Sequence, residues 1–335
     1  MVNIFELKKK EKINATLMGL VIELAGMPKV GKSTVAADAP DPIFLATENG
    51  TAGLTNMFVQ PIASWSDFVQ AVNQLCTPQA HEMVKTVVID SATQLLTLLE
   101  KYEGSRQSTD KVTYQFASDM DYGKGNKGMK LLLGTQLQKL ANEGYLILLI
   151  THCEEKSDFN SGRTYIGSSL SNAIHNIVSR LVDQTVYLDK KESKNTSKIE
   201  YRAWFNSKGG FADCGGRFSP EEDWVPTSYK NIEAALLKAI EKSAESRGAE
   251  TNDAETAEIT QIPVADEEYN YNELMDEFNK ITSELMAKNS DLGGKIAKSV
   301  ASVLGPNRKA SSLTPGQAEL LNEVVNTLKR DFELD

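Results

Sequence analysis

Over the first 240 positions, apolar residues are arranged in two alternating ways. Val21–Ala25, Ile43–Thr47, Thr86–Asp90 (TVVID) and Tyr145–Thr151 (YLILLIT) are short, nearly unbroken runs. Their length and apolar continuity predict strands covered on both faces. Between them, apolar residues recur at helical intervals in Trp65–Leu75, from about Ala92 to Tyr102, and in Met129–Asn142. In the last of these, Leu131, Leu132, Leu137 and Leu140 are read as one apolar face. Asp183–Leu188 and Ile199–Phe205 are expected to form a later antiparallel pair, and Tyr229–Lys242 a closing helix. Strand–helix alternation with buried strands predicts an α/β fold, a mostly parallel wound sheet flanked by helices.

The pattern changes after residue 240. Glu241–Glu268 is rich in Ala, Glu, Thr and Asp and has no aromatic residue. Such a segment buries too little surface to offset its ordering entropy, which predicts an acidic flexible linker over 241–270. It divides a body, 1–240, from a tail, 271–335. The tail reads as helices at Tyr271–Lys288, about Leu292–Leu304 and Pro315–Phe332, with Pro306 breaking the second and Thr314 capping the third. That is a small C-terminal helical module.

Composition narrows the setting. No apolar run reaches the roughly 18 residues a membrane span needs, so no membrane association is expected. The first residues, MVNIFELKKKEK, are basic but lack the apolar stretch of a signal peptide. Cys76, Cys153 and Cys214 stand far apart and are odd in number, which argues for a reducing cytoplasm, the host's if the chain is phage-encoded. The formal charge of −10 is concentrated: residues 1–240 carry −1, residues 241–270 carry −7 and residues 271–335 carry −2. A near-neutral body neither requires nor excludes a nucleic-acid partner.

The chemistry is sharpest at GMPKVGKST, where Gly26, Met27, Pro28, Lys29, Val30, Gly31, Lys32, Ser33 and Thr34 match G-x-x-x-x-G-K-[ST] in full. The motif follows an apolar strand and precedes a helix-compatible run, Thr34–Ala39, as a phosphate-binding loop requires. It implies ATP and Mg²⁺ as ligands: backbone N–H groups cradle phosphate, Lys32 reaches the β and γ phosphates, and Ser33 offers its hydroxyl to Mg²⁺. Asp90 ends the strand TVVID, where a P-loop fold holds the metal; an aspartate there also serves as a cap for the helix beginning at Ala92. Glu48 ends the strand after the P-loop helix and is a candidate general base, although position alone equally allows a solvated loop glutamate. Thr151 and His152 end YLILLIT, where a polar residue faces the γ-phosphate; a lone His is as often structural.

Together these residues resemble a RecA-family ATPase core over roughly residues 15–240, most closely the Sak-type single-strand annealing recombinases of phages. The resemblance implies that Glu48 activates water, that Val87–Ser91 is the Walker B strand, and that Thr151–His152 occupies the sensor position, where the family commonly has Gln. It also implies two mobile loops that bind single-stranded DNA. The first, within Gly104–Lys130, would use Arg106, Lys111, Lys124, Lys127 and Lys130, with Tyr114, Phe116 and Tyr122 available for stacking. The second, within Glu154–Ser169, would use Lys156 and Arg163 with Phe159 and Tyr165. Lys208, after the late strand pair, would complete the ATP site of a neighbouring subunit in a ring or filament; a water-facing strand-end lysine is the plainer reading. The tail offers a surface for a partner such as a single-stranded DNA-binding protein. The resemblance implies DNA-stimulated ATP hydrolysis that drives annealing or strand exchange. A helicase loader, a nucleotide-gated assembly switch or a small-molecule kinase would use the same P-loop.

Overall fold

The computed structural model describes residues 11–108, 112–157, 164–192, 198–253, 256–259, 261–262, 271–289, 292–305, 308–313 and 318–332. The chain divides into two compact units, Met1–Val264 and Ala265–Asp335.

In chain order the first unit contains β1 (Lys12–Asn14), β2 (Val21–Gly26), α1 (Lys32–Ala37), β3 (Pro42–Ala46), β4 (Phe58–Pro61), α2 (Trp65–Leu75) and α3 (Pro78–His81). These are followed by β5 (Thr86–Asp90), α4 (Ala92–Gln107), α5 (Lys124–Asn142), β6 (Leu146–Ser157), β7 (Thr164–Ser168) and α6 (Asn172–Val178). The unit closes with β8 (Gln184–Glu192), β9 (Ile199–Trp204), β10 (Gly215–Gly216), β11 (Trp224–Pro226), α7 (Tyr229–Ser246) and β12 (Glu250–Asn252). A ten-stranded sheet runs β11-β9-β8-β2-β6-β5-β3-β4, with β10 and β7 pairing to β8 and β6. From β8 to β4 every pairing is parallel, whereas β9 and β11 are antiparallel. This is the α/β architecture expected from the alternating pattern.

The apolar strands are buried because helices cover both faces. Ile147 and Leu149 of β6 pack with α2, α4, α5 and α6, while Leu146, Leu148 and Ile150 pack with α1 and α7. Helix α2 shows how local sequence sets an element. Trp65, Phe68, Val72 and Leu75 recur on one face and are buried. Ser64 caps the start by accepting the Asp67 N–H at 3.1 Å, and Asp67 reaches back to the Ala63 N–H at 3.1 Å.

Three expectations are corrected here. The acidic stretch is in part docked to the body. Helix α7 continues to Ser246, and β12 pairs in parallel with β1, Lys12 lying opposite Glu250. Asn14 donates to the Glu258 carbonyl at 2.8 Å, while Asn142 donates to the Ile262 carbonyl at 2.7 Å and accepts its N–H at 3.1 Å. These contacts read main chain, so a segment poor in large apolar side chains can still make them. The loop expected over 104–130 is partly helical, since α4 extends to Gln107 and α5 begins at Lys124. Leu131 is 67% exposed rather than part of the apolar face of α5.

The second unit contains α8 (Tyr271–Lys288), α9 (Gly293–Leu304) and α10 (Ala318–Asp331). It has its own core, in which Ile281, Leu285, Val300, Leu321, Val325 and Leu328 are buried. Among the described residues, no helix is long and apolar enough to cross a membrane.

Candidate nucleotide-binding site

The site is built at the carboxyl edge of β2, β6, β5 and β3. Gly26 has no room for a side chain, because a Cβ there would lie 2.6 Å from the Leu188 carbonyl. Lys29 and Gly31 take left-handed conformations, with φ of 64° and 95°, which turn the loop before α1 begins at Lys32. Alternating left- and right-handed residues point successive N–H groups inward, the concavity that binds anions.

Lys32 is 5% exposed, and its Nζ donates to the Gly26 and Met27 carbonyls at 2.7 and 2.9 Å. Burial pushes its pKa down, against the pull of Cys153, Asp90 and Glu48. A cation enclosed by the loop's carbonyls at the mouth of an anion cradle fits a phosphate ligand. Ser33 Oγ donates to Asp90 Oδ2 at 2.8 Å, which brings the two expected Mg²⁺ residues together. Burial raises the Asp90 pKa; the Ser33 hydrogen bond lowers it and Glu48 raises it. The gap beside Asp90 is narrow on one side, as a Cβ on Gly50 would lie 3.2 Å from Oδ2. Among the described residues, no group of three or more His, Cys, Asp or Glu could hold a metal. A hydroxyl and one carboxylate suit a Mg²⁺ that takes its other ligands from phosphate and water.

Glu48 follows β3, which lies beside β5. Its Oε1 lies 3.1 Å from His152 Nε2, with 42% and 30% of the two side chains exposed. Burial raises the Glu48 pKa, but hydrogen bonds from Ser91 and His152 and the charges of His152 and Lys32 outweigh it and hold the group below the usual range. An ionised, solvent-reaching carboxylate beside a P-loop can accept a proton from water.

The strand carrying Thr151 and His152 does not end there, because β6 runs on to Ser157. Thr151 is 1% exposed and donates to Glu23 Oε1 at 2.7 Å, so its hydroxyl is committed to the sheet interior. Thr185 donates to Glu23 Oε2 at 2.8 Å. Sequence reasoning missed this buried glutamate, although the one charge in the apolar run VIELAG signals it.

The expected DNA residues are distributed differently from two mobile loops. Lys124, Lys127 and Lys130 lie on the first turns of α5 and are exposed. Glycines 125 and 128 serve packing there, as a Cβ on Gly125 would overlap the Ala117 carbonyl and one on Gly128 the Glu103 carboxylate. Tyr122, at φ 57°, is 94% exposed just ahead of them, while Tyr114 and Phe116 are half-buried. Arg106 lies within α4, and its guanidinium forms a two-pronged pair with buried Glu103 at 2.7 and 3.1 Å. The described part of the second expected loop is an antiparallel strand pair, with Lys156 on β6 opposite Tyr165 on β7 and 3.5 Å from Glu154. Lys111, Phe159 and Arg163 lie outside the described residues. Lys208 follows β9, which returns antiparallel from Ile199 opposite Glu192 to Trp204 opposite Tyr187. Its Nζ is held by both Asp223 oxygens at 2.7 Å.

The parallel sheet, the full phosphate-loop motif and the Ser33–Asp90 contact define a P-loop ATPase fold. Residues 18–218 match the family described as AAA domain, and the chain belongs to that family. It is also 26% identical over 279 residues, 80% of each chain, to the SPbeta prophage-derived uncharacterized protein YorG of Bacillus subtilis (strain 168).

Proposed function

We propose that this AAA-domain protein hydrolyses Mg²⁺-ATP with Glu48 as general base and couples turnover to single-stranded DNA in phage recombination, by annealing or strand exchange. The observation that carries the hydrolytic reading is the Glu48–His152 pair, 3.1 Å apart, at the edge that holds the Ser33–Asp90 contact. In the proposed step, the water oxygen bonds to the γ-phosphorus as the bond to the β,γ-bridging oxygen breaks. The water's proton passes to Glu48, and ADP leaves. Lys32 offsets charge on the β and γ phosphates. Ser33 and Asp90 would hold Mg²⁺, which when bound neutralises charge on the phosphate oxygens.

The DNA reading is supported by the exposed face of α5. Lys124, Lys127, Lys130 and Leu131 fall within about a third of a helical turn. Exposed Tyr122 precedes them, so cations for phosphate and an aromatic ring for a base lie close in sequence. The prophage origin of the relative agrees with a phage role. Self-assembly in a ring or filament and a single-stranded DNA-binding protein at the second unit are further parts of this reading.

ATP hydrolysis measured with and without single-stranded DNA tests it. Wild-type protein should be stimulated by DNA, and Glu48→Gln should bind nucleotide but lose roughly 10²–10⁴-fold in turnover. Turnover by Glu48→Gln near the wild-type rate would remove the base assignment. Absence of DNA binding and stimulation at low salt would favour a helicase loader or a nucleotide-gated switch.

A further inference from the structure

Glu48 and Asp90 are carried by different strands, so the site depends on what fixes β3 against β5 beyond their last paired residues, Ala46 and Asp90. Thr47 makes that connection three times. Its N–H donates to the Asp90 carbonyl at 2.8 Å. Its hydroxyl donates to the Ser91 carbonyl at 2.9 Å and accepts the Ser91 N–H at 3.0 Å. One hydroxyl therefore grips both the N–H and the carbonyl of the residue after the metal-site aspartate, while the next residue of its own chain is Glu48. Ser91 is fully buried, so water cannot readily replace a lost partner. Its own Oγ caps α4 by accepting the Gln94 N–H at 3.2 Å, which ties the same junction to the following helix.

We propose that Thr47 is a positioning residue for ATP hydrolysis, whose hydroxyl sets the placement of Glu48 relative to Asp90. This rests on the reading of Glu48 as the base. Thr47 acts by holding the segment that carries Glu48 in register with the segment that carries Asp90. Valine has nearly the shape of threonine but neither donates nor accepts; serine keeps the hydroxyl and loses the methyl group. The two substitutions separate gripping from packing.

The test uses the full chain and measures kcat and KM for Mg²⁺-ATP, the affinity for a non-hydrolysable ATP analogue, and thermal unfolding. Thr47→Val should lower kcat about 10–10²-fold, the scale of effect expected when a reacting group moves by about 1 Å. Its KM and analogue affinity should stay within about twofold, since the P-loop is untouched. Thr47→Ser should stay within about threefold of wild type in kcat. If Thr47→Val does not fold, Thr47→Ala against Thr47→Ser makes the same comparison. The proposal is overturned if the variant without the hydroxyl keeps wild-type kcat, if Thr47→Ser is as impaired as Thr47→Val, or if KM rises in step with any loss. Glu48→Gln, assayed alongside, separates the two ideas. An inert Glu48→Gln with an active Thr47→Val sinks the clamp alone, whereas an active Glu48→Gln sinks the base assignment beneath it.

Discussion

Glu23 offers a test in which the structure predicts opposite outcomes for two substitutions of the same residue. The carboxylate is 1% exposed in the strand that leads into the P-loop, and its two oxygens accept the Thr151 and Thr185 hydroxyls at 2.7 and 2.8 Å. Burial raises its pKa above the ordinary 4.5; the two threonine hydrogen bonds and His175 pull it down, while Asp213, beside His175, pushes it up. Glu23→Ala strands two buried hydroxyls, each costing about 1–3 kcal/mol, and leaves a cavity besides. A loss of about 3–6 kcal/mol is a large share of the 5–15 kcal/mol typical of a domain. Glu23→Gln keeps the shape, and its amide can accept from one threonine and donate to the hydroxyl oxygen of the other.

The sign with pH follows from linkage. A carboxyl whose folded pKa is raised contributes fully below its unfolded pKa, and that contribution is lost as pH rises through the folded pKa. Wild type should therefore lose stability above about pH 4.5 relative to Glu23→Gln. Urea unfolding at pH 5 and pH 8, followed by tryptophan fluorescence, measures this. Trp65, Trp204 and Trp224 all lie in the first unit, so the signal reports that unit. Glu23→Gln should gain on wild type between the two pH values, and Glu23→Ala should be strongly destabilised at both. A Glu23→Gln protein that falls further behind wild type at pH 8 would refute the reasoning, as would Glu23→Ala unfolding within about 1 kcal/mol of wild type.

Three other outcomes are expected. Replacing Lys124, Lys127 and Lys130 together by Ala should weaken single-stranded DNA binding and flatten its salt dependence by up to about 3 in slope, with unchanged ATP affinity; an unaltered slope in a salt titration would remove that face from the DNA reading. Deleting residues 265–335 should leave a folded, nucleotide-binding body. Deleting from residue 250 should lower its melting temperature, because β12 and the Asn14 and Asn142 contacts go with it; equal melting of the two truncations would contradict those contacts. Lys208→Ala should abolish DNA-stimulated hydrolysis only if the lysine leaves Asp223 to serve a neighbouring subunit. Mixing it with Glu48→Gln protein should then restore part of the turnover, and wild-type activity in Lys208→Ala alone would dispose of the trans role.

What the sequence determines by itself is whatever depends on neighbours a few residues apart. The turn chemistry of Gly26–Thr34, the apolar strands VIELAG and TVVID, and the spacing of Trp65, Phe68, Val72 and Leu75 are all local, and each element follows from them. The type of chemistry is legible for the same reason, because nine consecutive residues carry the phosphate loop. Tertiary structure decides which groups meet. Ser33 reaches Asp90 across 57 residues, Glu48 reaches His152 across 104, and Glu23 collects hydroxyls 128 and 162 residues away. The strand order β8-β2-β6-β5-β3 makes those meetings, and no periodicity within a segment encodes it. The same limit explains the misreadings. Glycines in KGNKGMK suggest a loop until the packing of Ala117 and Glu103 against them is known, and an acidic stretch suggests a linker until Asn14 and Asn142 are found bonded to its main chain. In each case a contact from a distant residue outweighs local propensity, because burial and hydrogen bonding supply more free energy than a few residues' intrinsic preference.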